Sequence, residues 1–401
     1  MGTGIRLRLS LMMFLQYFVW GAWWVPFGSY LAANGLDAWI GTIFSTQGWA
    51  AIAAPLFVGA IVDRYFAAEK VMGVLHLLGG GALLGLSVIG ADPALTFAVT
   101  LGVLLAYMPT IALSNAIAFN AITDTERQFP AIRVFGTLGW IVAGLIVGAL
   151  LHAEQTALPL RLAAAGSIAY GLYAFTLPNT PPRERSGRVS IVSILGLDAM
   201  RSGDRSFWAL IFCSLLMMIP LSFYSAYANA FLVDVGVDAA ASVQAIGQVS
   251  EVGFLLLLPF FFRWVGMKGV LLIGMLAWGL RYVLFANGFD AGAPIMPILL
   301  VGLALHGVCF DFFMVAGTIY VDKKFPPETR GRAQSFLALV TWGAGSVIGS
   351  LLANAVYVAH TAPDGSHLWS QFWLVPAGLA AVTSLVFLFL FRERKAVAAA
   401  A

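Results

Sequence analysis

The stretch PNTPPRERSGRVSIVSILGLDAMRSGDRS, residues 178–206, is the longest polar interruption in an otherwise apolar chain. It contains three prolines and five arginines, with one short apolar turn at residues 191–197. About six long apolar runs precede it and about six follow it. We therefore predict two halves, residues 1–177 and 207–401, that residues 178–206 join as a linker.

The composition indicates a membrane protein. Only 10% of the 401 residues are charged and 60% are hydrophobic, and the mean hydropathy is +0.89. A soluble domain carries about 25% charged residues, and an apolar run of about 20 residues can cross a bilayer as a helix. We predict an all-α membrane protein in which each half is a six-helix bundle. The twelve predicted spans are Leu9–Ala32, Trp39–Val62, Val71–Gly90, Leu95–Phe119, Ile132–Leu151, Leu162–Leu177, Phe207–Val233, Ala241–Phe262, Val270–Ala286, Pro297–Val321, Ser335–Ala359 and Phe372–Phe391.

Basic residues indicate how the chain lies in the membrane, because lysine and arginine are retained on the cytoplasmic side. Of the 22 Lys and Arg, only Arg161 and Arg281 fall toward the opposite side. We therefore expect a multi-pass protein of the cell inner membrane, with the linker, both termini and a short tail in the cytoplasm. The net charge of +3 reflects this topology, and no nucleic-acid site is expected. The first apolar run is expected to be a retained anchor rather than a cleaved signal peptide.

Two carboxylates, Glu251 and Asp311, each lie in a long apolar run. A carboxylate inside a bilayer is costly unless it meets water, a partner or a proton, so such residues usually mark a transport path. A purely structural ion pair would need a cation. The only candidates within the predicted spans are Arg133 and Arg281.

Polar residues also recur at helical spacing, which places them on shared faces. Three such stripes are Arg133, Thr137 and Trp140; Ser222, Ser225 and Asn229; and Gln244, Gln248 and Glu251. A fourth group has Asp311 beside Phe310. Other interpretations remain open at this stage: Arg133 snorkels to the headgroups, the two serines bond to their own helix, and the aromatic residues serve packing.

Several motifs in order along the chain resemble the bacterial nucleoside:proton symporters of the major facilitator superfamily. A weaker sign is Gly59 followed by Asp63-Arg64, which is similar to the loop signature of that superfamily. The resemblance implies twelve helices in two six-helix bundles, with the substrate near the midplane between them. The motifs are Leu15-Gln16-Tyr17 to Trp23, Ala106 to Thr110 with Asn115, Pro130 to Arg133 with Gly136-Thr137, Leu195 to Ala199, Asn229 to Leu232, Gln248 to Glu251, Phe310 to Phe313, and Arg330 to Gln334.

The resemblance also implies a substrate site. The matching positions are Arg133, Thr137, Gln248, Glu251, Phe310 and Asp311. Ser222 and Ser225 stand where the family pattern has amides, and Trp140 where it has phenylalanine. We include these three in the predicted site. Aromatic rings suit a nucleobase and polar groups suit ribose and base edges, although a hexose, glycoside or related polyol would use the same groups.

Proton coupling is expected to involve the two carboxylates, because burial and nearby charge change how readily a carboxyl group holds a proton. We assign Asp311 as proton carrier and Glu251 as substrate ligand. The reverse assignment, or a coupled pair, remains open. We expect no cofactor or metal, no enzyme activity, and function as a monomer in the lipid bilayer with a nucleoside and protons as ligands. A polytopic sensor is the alternative from another class, but it should carry a soluble output domain.

Overall fold

The computed structural model describes residues 3–58, 65–182, 191–197 and 203–392. The motif Gly59 with Asp63-Arg64, most of the linker, and the tail from residue 393 lie outside the described residues. The described chain is almost entirely helical, which confirms the all-α prediction. Its two short strands, Phe289–Asp290 and Ala293–Pro294, form one antiparallel hairpin.

The helices of residues 3–197 range from 4 to 29 residues in length. Pro26 lies between the first two helices, and proline cannot donate to a helical ladder. These helices are α1 Thr3–Trp24, α2 Phe27–Ala33, α3 Ile40–Phe44, α4 Thr46–Phe57, α5 Ala68–Leu86, α6 Pro93–Ala121, α7 Thr125–Leu145, α8 Leu158–Ala174 and α9 Ile191–Ile194. A 3-10 turn at Asp37–Trp39 precedes α3.

The helices of residues 203–392 include one very long element. It contains the predicted spans Ala241–Phe262 and Val270–Ala286 as two helices that meet at a kink at Gly266, where φ is 70° and the backbone is not helical. Only glycine adopts that conformation at little cost. These helices are α10 Arg205–Asp234, α11 Ala240–Ala286, α12 Met296–Ala304, α13 His306–Cys309, α14 Ala316–Lys324, α15 Pro327–Ala338, α16 Ser346–Ala359 and α17 Trp369–Leu390.

Eight helical stretches within the described residues are long and apolar enough to cross a membrane. They confirm a multi-pass helical membrane protein, while the count of twelve stays a prediction. Large apolar side chains also lie on the outer surface, among them Leu256 and Phe389, which are 77% and 72% exposed. Such a surface suits contact with lipid.

Three π-helical segments lie wholly within the described residues: π1 at Ile146–Leu150, π2 at Phe310–Val315 and π3 at Leu339–Gly345. A π turn adds one residue to a helical turn and is frequent at functional sites. Asp311 lies in π2. The π turns therefore decide which side chains of these helices face the interior.

The helices of each half pack mainly on one another. In the first half, α1 packs against α7 and α8, and α5 against α6 and α8; in the second, α11 packs against α12, α13 and α17. The halves also meet: α2 contacts α10, α3 contacts α16, α7 contacts α11, and α4 contacts π3. The short linker helix α9 contacts α4 and α15. The free cysteines Cys213 and Cys309 are fully buried.

Candidate substrate cavity

A cavity of about 430 Å³ lies between the two halves. Its volume is in the range of small-molecule sites. The first half contributes side chains from α1, α4, α6 and α7, and the second from α10, α11, α13, π2 and π3. A ligand in this cavity would therefore touch both halves.

Most of the predicted site residues line this one cavity. On the first half, α7 contributes all three members of its polar stripe. On the second half, α11 contributes its complete stripe, including Gln244. The predicted site residues that line the cavity are Arg133, Thr137, Trp140, Ser225, Gln248, Glu251 and Phe310.

Two predicted residues, Ser222 and Asp311, do not line the cavity. Ser222 is buried and its Oγ donates to the carbonyl oxygen of Met218 at 2.9 Å, so this side chain bonds to its own helix. Asp311 is 0% exposed, and neither of its carboxyl oxygens has a hydrogen-bond partner among the described residues. Phe310 reaches the cavity, whereas Asp311 lies behind its wall.

Arg133 is held at the cavity by an aromatic ring. Its guanidinium carbon lies 4.1 Å from the ring centroid of Tyr17, which also lines the cavity. Such a cation–π contact contributes about 0.5–2 kcal/mol, depending on how dry the site is. The side chain thus contributes charge to the cavity, as the stripe predicted.

Aromatic rings form a wall on each half. On the first half, the rings of Trp20 and Trp140 meet edge to face with centroids 5.4 Å apart. On the second, Phe310 lies 6.4 Å from Trp342 and 5.8 Å from the His306 ring. These rings supply flat apolar surfaces beside the polar stripes.

The helices α11 and α13, which carry Glu251 and His306, approach each other very closely. A Cβ atom at Gly307 would overlap the backbone of residues 250 and 251, so only glycine fits there. The Ser250 hydroxyl donates to the carbonyl oxygen of Ala304 and accepts from the Gly307 N–H at 3.1 Å. This packing joins the two helices next to Glu251 and His306, and both of these side chains line the cavity.

A polar relay connects the cavity to the contact between the halves. The Ser29 hydroxyl donates to Asn229 Oδ1 at 2.6 Å, and Asn229 Nδ2 donates to Gln244 Oε1 at 2.7 Å. Ser29 belongs to α2, and Asn229 to α10. Asn229 therefore serves this bridge, while Gln244 also lines the cavity.

Sequence reasoning left several lining residues out of the site. Some carried a signal: Trp20 and Trp24 lie close together in the first predicted span, and His306 is an ionisable residue within a span. Others, such as Trp342, carried none beyond their aromatic character. The omitted residues include Tyr17, Trp20, Trp24, Gln47, Tyr224, Gln244, His306 and Trp342. No group of residues with metal-ligand character is found within the described part of the chain.

Comparison with solved structures defines the class of protein. The chain matches a crystal structure of nucleoside transporter NupG with a TM-score of 0.87 and 31% identity, covering 98% of this chain and 100% of that one. A single-substitution variant of NupG matches with a TM-score of 0.89. A POT family transporter in complex with 5-aminolevulinic acid shares the fold at a TM-score of 0.76, but only 13% of its sequence. The fold is that of a helical membrane transporter.

Comparison of sequences identifies the family. The family model described as "Nucleoside H+ symporter" matches residues 2–396. The putative nucleoside transporter YegT of Escherichia coli K12 is 40% identical over 96% of this chain and 93% of its own length. The xanthosine permease of the same organism is 36% identical over 97% and 96%. The chain belongs to the nucleoside H+ symporter family, and its function is proton-coupled nucleoside uptake.

Proposed function

We propose that the cavity between the halves is the nucleoside site, and that the protein carries nucleosides inward across the bacterial inner membrane by alternating access. One observation carries this proposal: seven residues chosen by spacing and resemblance converge on one cavity shared by both halves. A site between two bundles is exposed to either side when the bundles rock. In this proposal, residues 1–177 and 207–401 are the two bundles and residues 178–206 the cytoplasmic linker, with both termini cytoplasmic and the monomer as the working unit.

The lining groups suit the two parts of a nucleoside. A base stacks on aromatic rings, with about 1–3 kcal/mol per base in nucleic-acid complexes, and Trp140 and Phe310 present such rings. The ribose hydroxyls both donate and accept, and the lining carboxylate, amide and guanidinium groups offer both kinds of partner. Glu251, Gln248 and Arg133 are the proposed polar ligands.

We assign the coupled proton to Asp311, and the surroundings of this residue support the assignment. A carboxylate without partners in an apolar interior is costly, whereas the neutral acid is much less so. Asp311 is fully buried and its oxygens have no partner within the described chain. We therefore assign the protonated acid to this conformation. A rearrangement that wets the space behind Phe310 would release the proton.

Movement of the halves must break the contacts that now join them. The relay from Ser29 through Asn229 to Gln244 is one such contact. Asn354 is another: its Oδ1 accepts from the Gly41 N–H at 2.9 Å. Each of these two bridges consists of hydrogen bonds between polar groups and not of a large apolar contact. We propose that they separate when the cavity opens to the outside.

The test is uptake of a radiolabelled nucleoside panel into right-side-out vesicles that contain the protein. An inward proton gradient should stimulate uptake, a protonophore should abolish the stimulation, and omission of sodium should change nothing. Vesicles without the protein are the control. Competition by hexoses but not by unlabelled nucleosides would overturn the substrate assignment, and strict sodium dependence would overturn the coupling.

A further inference from the structure

Arg281 is a fully buried cation that forms no salt bridge with a carboxylate of the described residues. It is 0% exposed, and its guanidinium carbon lies 3.6 Å from the ring centroid of Tyr224 and 5.4 Å from that of Phe285. Its Nε and Nη2 atoms have no hydrogen-bond partner among the described residues. Its Nη1 lies 2.9 Å from Nδ1 of His306. The imidazole of His306 is thus a hydrogen-bond partner of this guanidinium, and the Cys309 thiol is a further polar neighbour.

This pairing determines which ring nitrogen of His306 carries the proton. A guanidinium has only N–H donors and stays charged in proteins. Nδ1 must therefore accept the hydrogen bond, and the single proton of the neutral ring lies on Nε2. A doubly protonated ring would place an N–H and a second positive charge against Arg281. The pairing therefore disfavours that form as well as the other tautomer.

The imidazole ring of His306 is part of the cavity wall. His306 lines the cavity, and none of the hydrogen bonds of the described residues uses its Nε2. The rings of Tyr224 and Phe310 pack near the His306 ring, with centroids 5.4 and 5.8 Å from its centroid and interplanar angles of 28° and 25°. The imidazole is consequently held in both orientation and tautomer, in an aromatic part of the wall that suits a nucleobase.

We infer that Arg281 makes His306 a donor-only group for the nucleobase edge, and that the site therefore prefers bases that present a carbonyl there over bases that present an amino group. The inference rests on the proposed nucleoside site. Uracil and hypoxanthine offer a carbonyl oxygen where cytosine and adenine offer an amino group. A donor facing a donor leaves two polar groups unpaired in a dry site, which costs far more than a hydrogen bond gains. Arg281 is a positioning residue in this scheme, since it acts through His306.

Equilibrium binding to the purified full-length protein tests the preference. Two matched pairs, uridine with cytidine and inosine with adenosine, differ at the relevant edge. We expect the carbonyl member of each pair to bind at least about tenfold more tightly. Equal affinities within both pairs would overturn the inference while leaving the nucleoside site intact. Failure of all four nucleosides to bind would overturn the site and the inference together.

Two variants separate positioning from general structure. Arg281→Met frees the ring to present Nε2 as an acceptor, so amino bases should gain affinity while carbonyl bases lose it. His306→Gln offers either a donor or an acceptor, so the preference should fall to less than about threefold. Adding Arg281→Met to His306→Gln should then change the preference no further, because the ring on which Arg281 acts is gone.

The matched control is Met275→Leu, a volume-conserving change at a fully buried position of the same helix, and it should keep the wild-type preference. A purely structural role for Arg281 would weaken all four nucleosides alike. That parallel loss, or an unchanged preference in His306→Gln, would overturn the inference. The His306→Gln measurement decides the matter on its own if Arg281→Met does not fold.

Discussion

The two intramembrane carboxylates occupy contrasting surroundings, although both lie in long apolar runs. Glu251 is partly exposed at the cavity wall, beside the amide stripe of α11. Asp311 is fully buried within the π turn of Phe310–Val315 and does not line the cavity. A ligand can reach the first but not the second. The difference argues for a division of labour, with substrate binding at the accessible carboxylate and proton transfer at the enclosed one.

The largest expected effect comes from Asp311→Asn. The amide imitates the protonated acid, so uphill accumulation should be abolished, while equilibrium binding stays within about threefold of wild type because the residue does not line the cavity. Counterflow exchange, which needs alternating access but no net proton movement, should persist. Proteoliposome uptake with and without a proton gradient measures the first effect, and counterflow the second.

Asp311→Asn would refute the assignment if the variant still concentrated nucleoside against a gradient. The proton would then belong to Glu251. Wild-type protein in the same liposomes, with and without protonophore, supplies the reference for full coupling and for none.

A smaller but substantial effect is expected for Glu251→Gln. The amide keeps the volume and loses a charged acceptor, which contributes about 1.5–3 kcal/mol to a hydrogen bond, or roughly 10- to 150-fold in affinity. Isothermal titration of the purified variant measures the change. Unchanged affinity would remove Glu251 from the site and weaken the contrast drawn between the two acids.

The smallest effect concerns two serines one helical turn apart on α10. Ser225 lines the cavity, whereas Ser222 bonds to the Met218 carbonyl. Ser225→Ala should weaken binding by about 0.5–1.5 kcal/mol if the hydroxyl contacts the substrate. Ser222→Ala is the matched control and should leave affinity unchanged. Equal losses in the two variants would show that the cavity wall extends further around α10 than its lining residues indicate.

Local patterns predicted those site residues whose helices run regularly past the cavity. The stripes of α7 and α11 line the cavity because 3.6 residues per turn places positions i, i+4 and i+7 on one face wherever the helix packs. Of the α10 stripe, Ser225 alone lines the cavity. Its neighbours have other partners: Ser222 bonds to its own backbone and Asn229 bonds to Ser29 and Gln244. Spacing defines a face, but it does not say which neighbour each side chain meets.

The position of Asp311 was beyond local prediction for a different reason. A π turn shifts the face of a helix by one residue, and no residue from Phe310 to Phe313 predicts a π turn at this place. The pairing of Arg281 with His306 was equally hidden. The charge pattern places Arg281 toward the outer side of the membrane, whereas the folded chain encloses it fully.

The sequence by itself determined the membrane class, the helical fold and the chemistry available for transport. Hydrophobic runs, basic loops and intramembrane carboxylates can each be recognised within a single segment of the chain. Only the tertiary structure decided which of these groups share a cavity, which of the two carboxylates lies at its wall, and that Arg281 meets His306. Those properties depend on contacts between residues far apart in the chain, and such contacts exist only once the helices have packed.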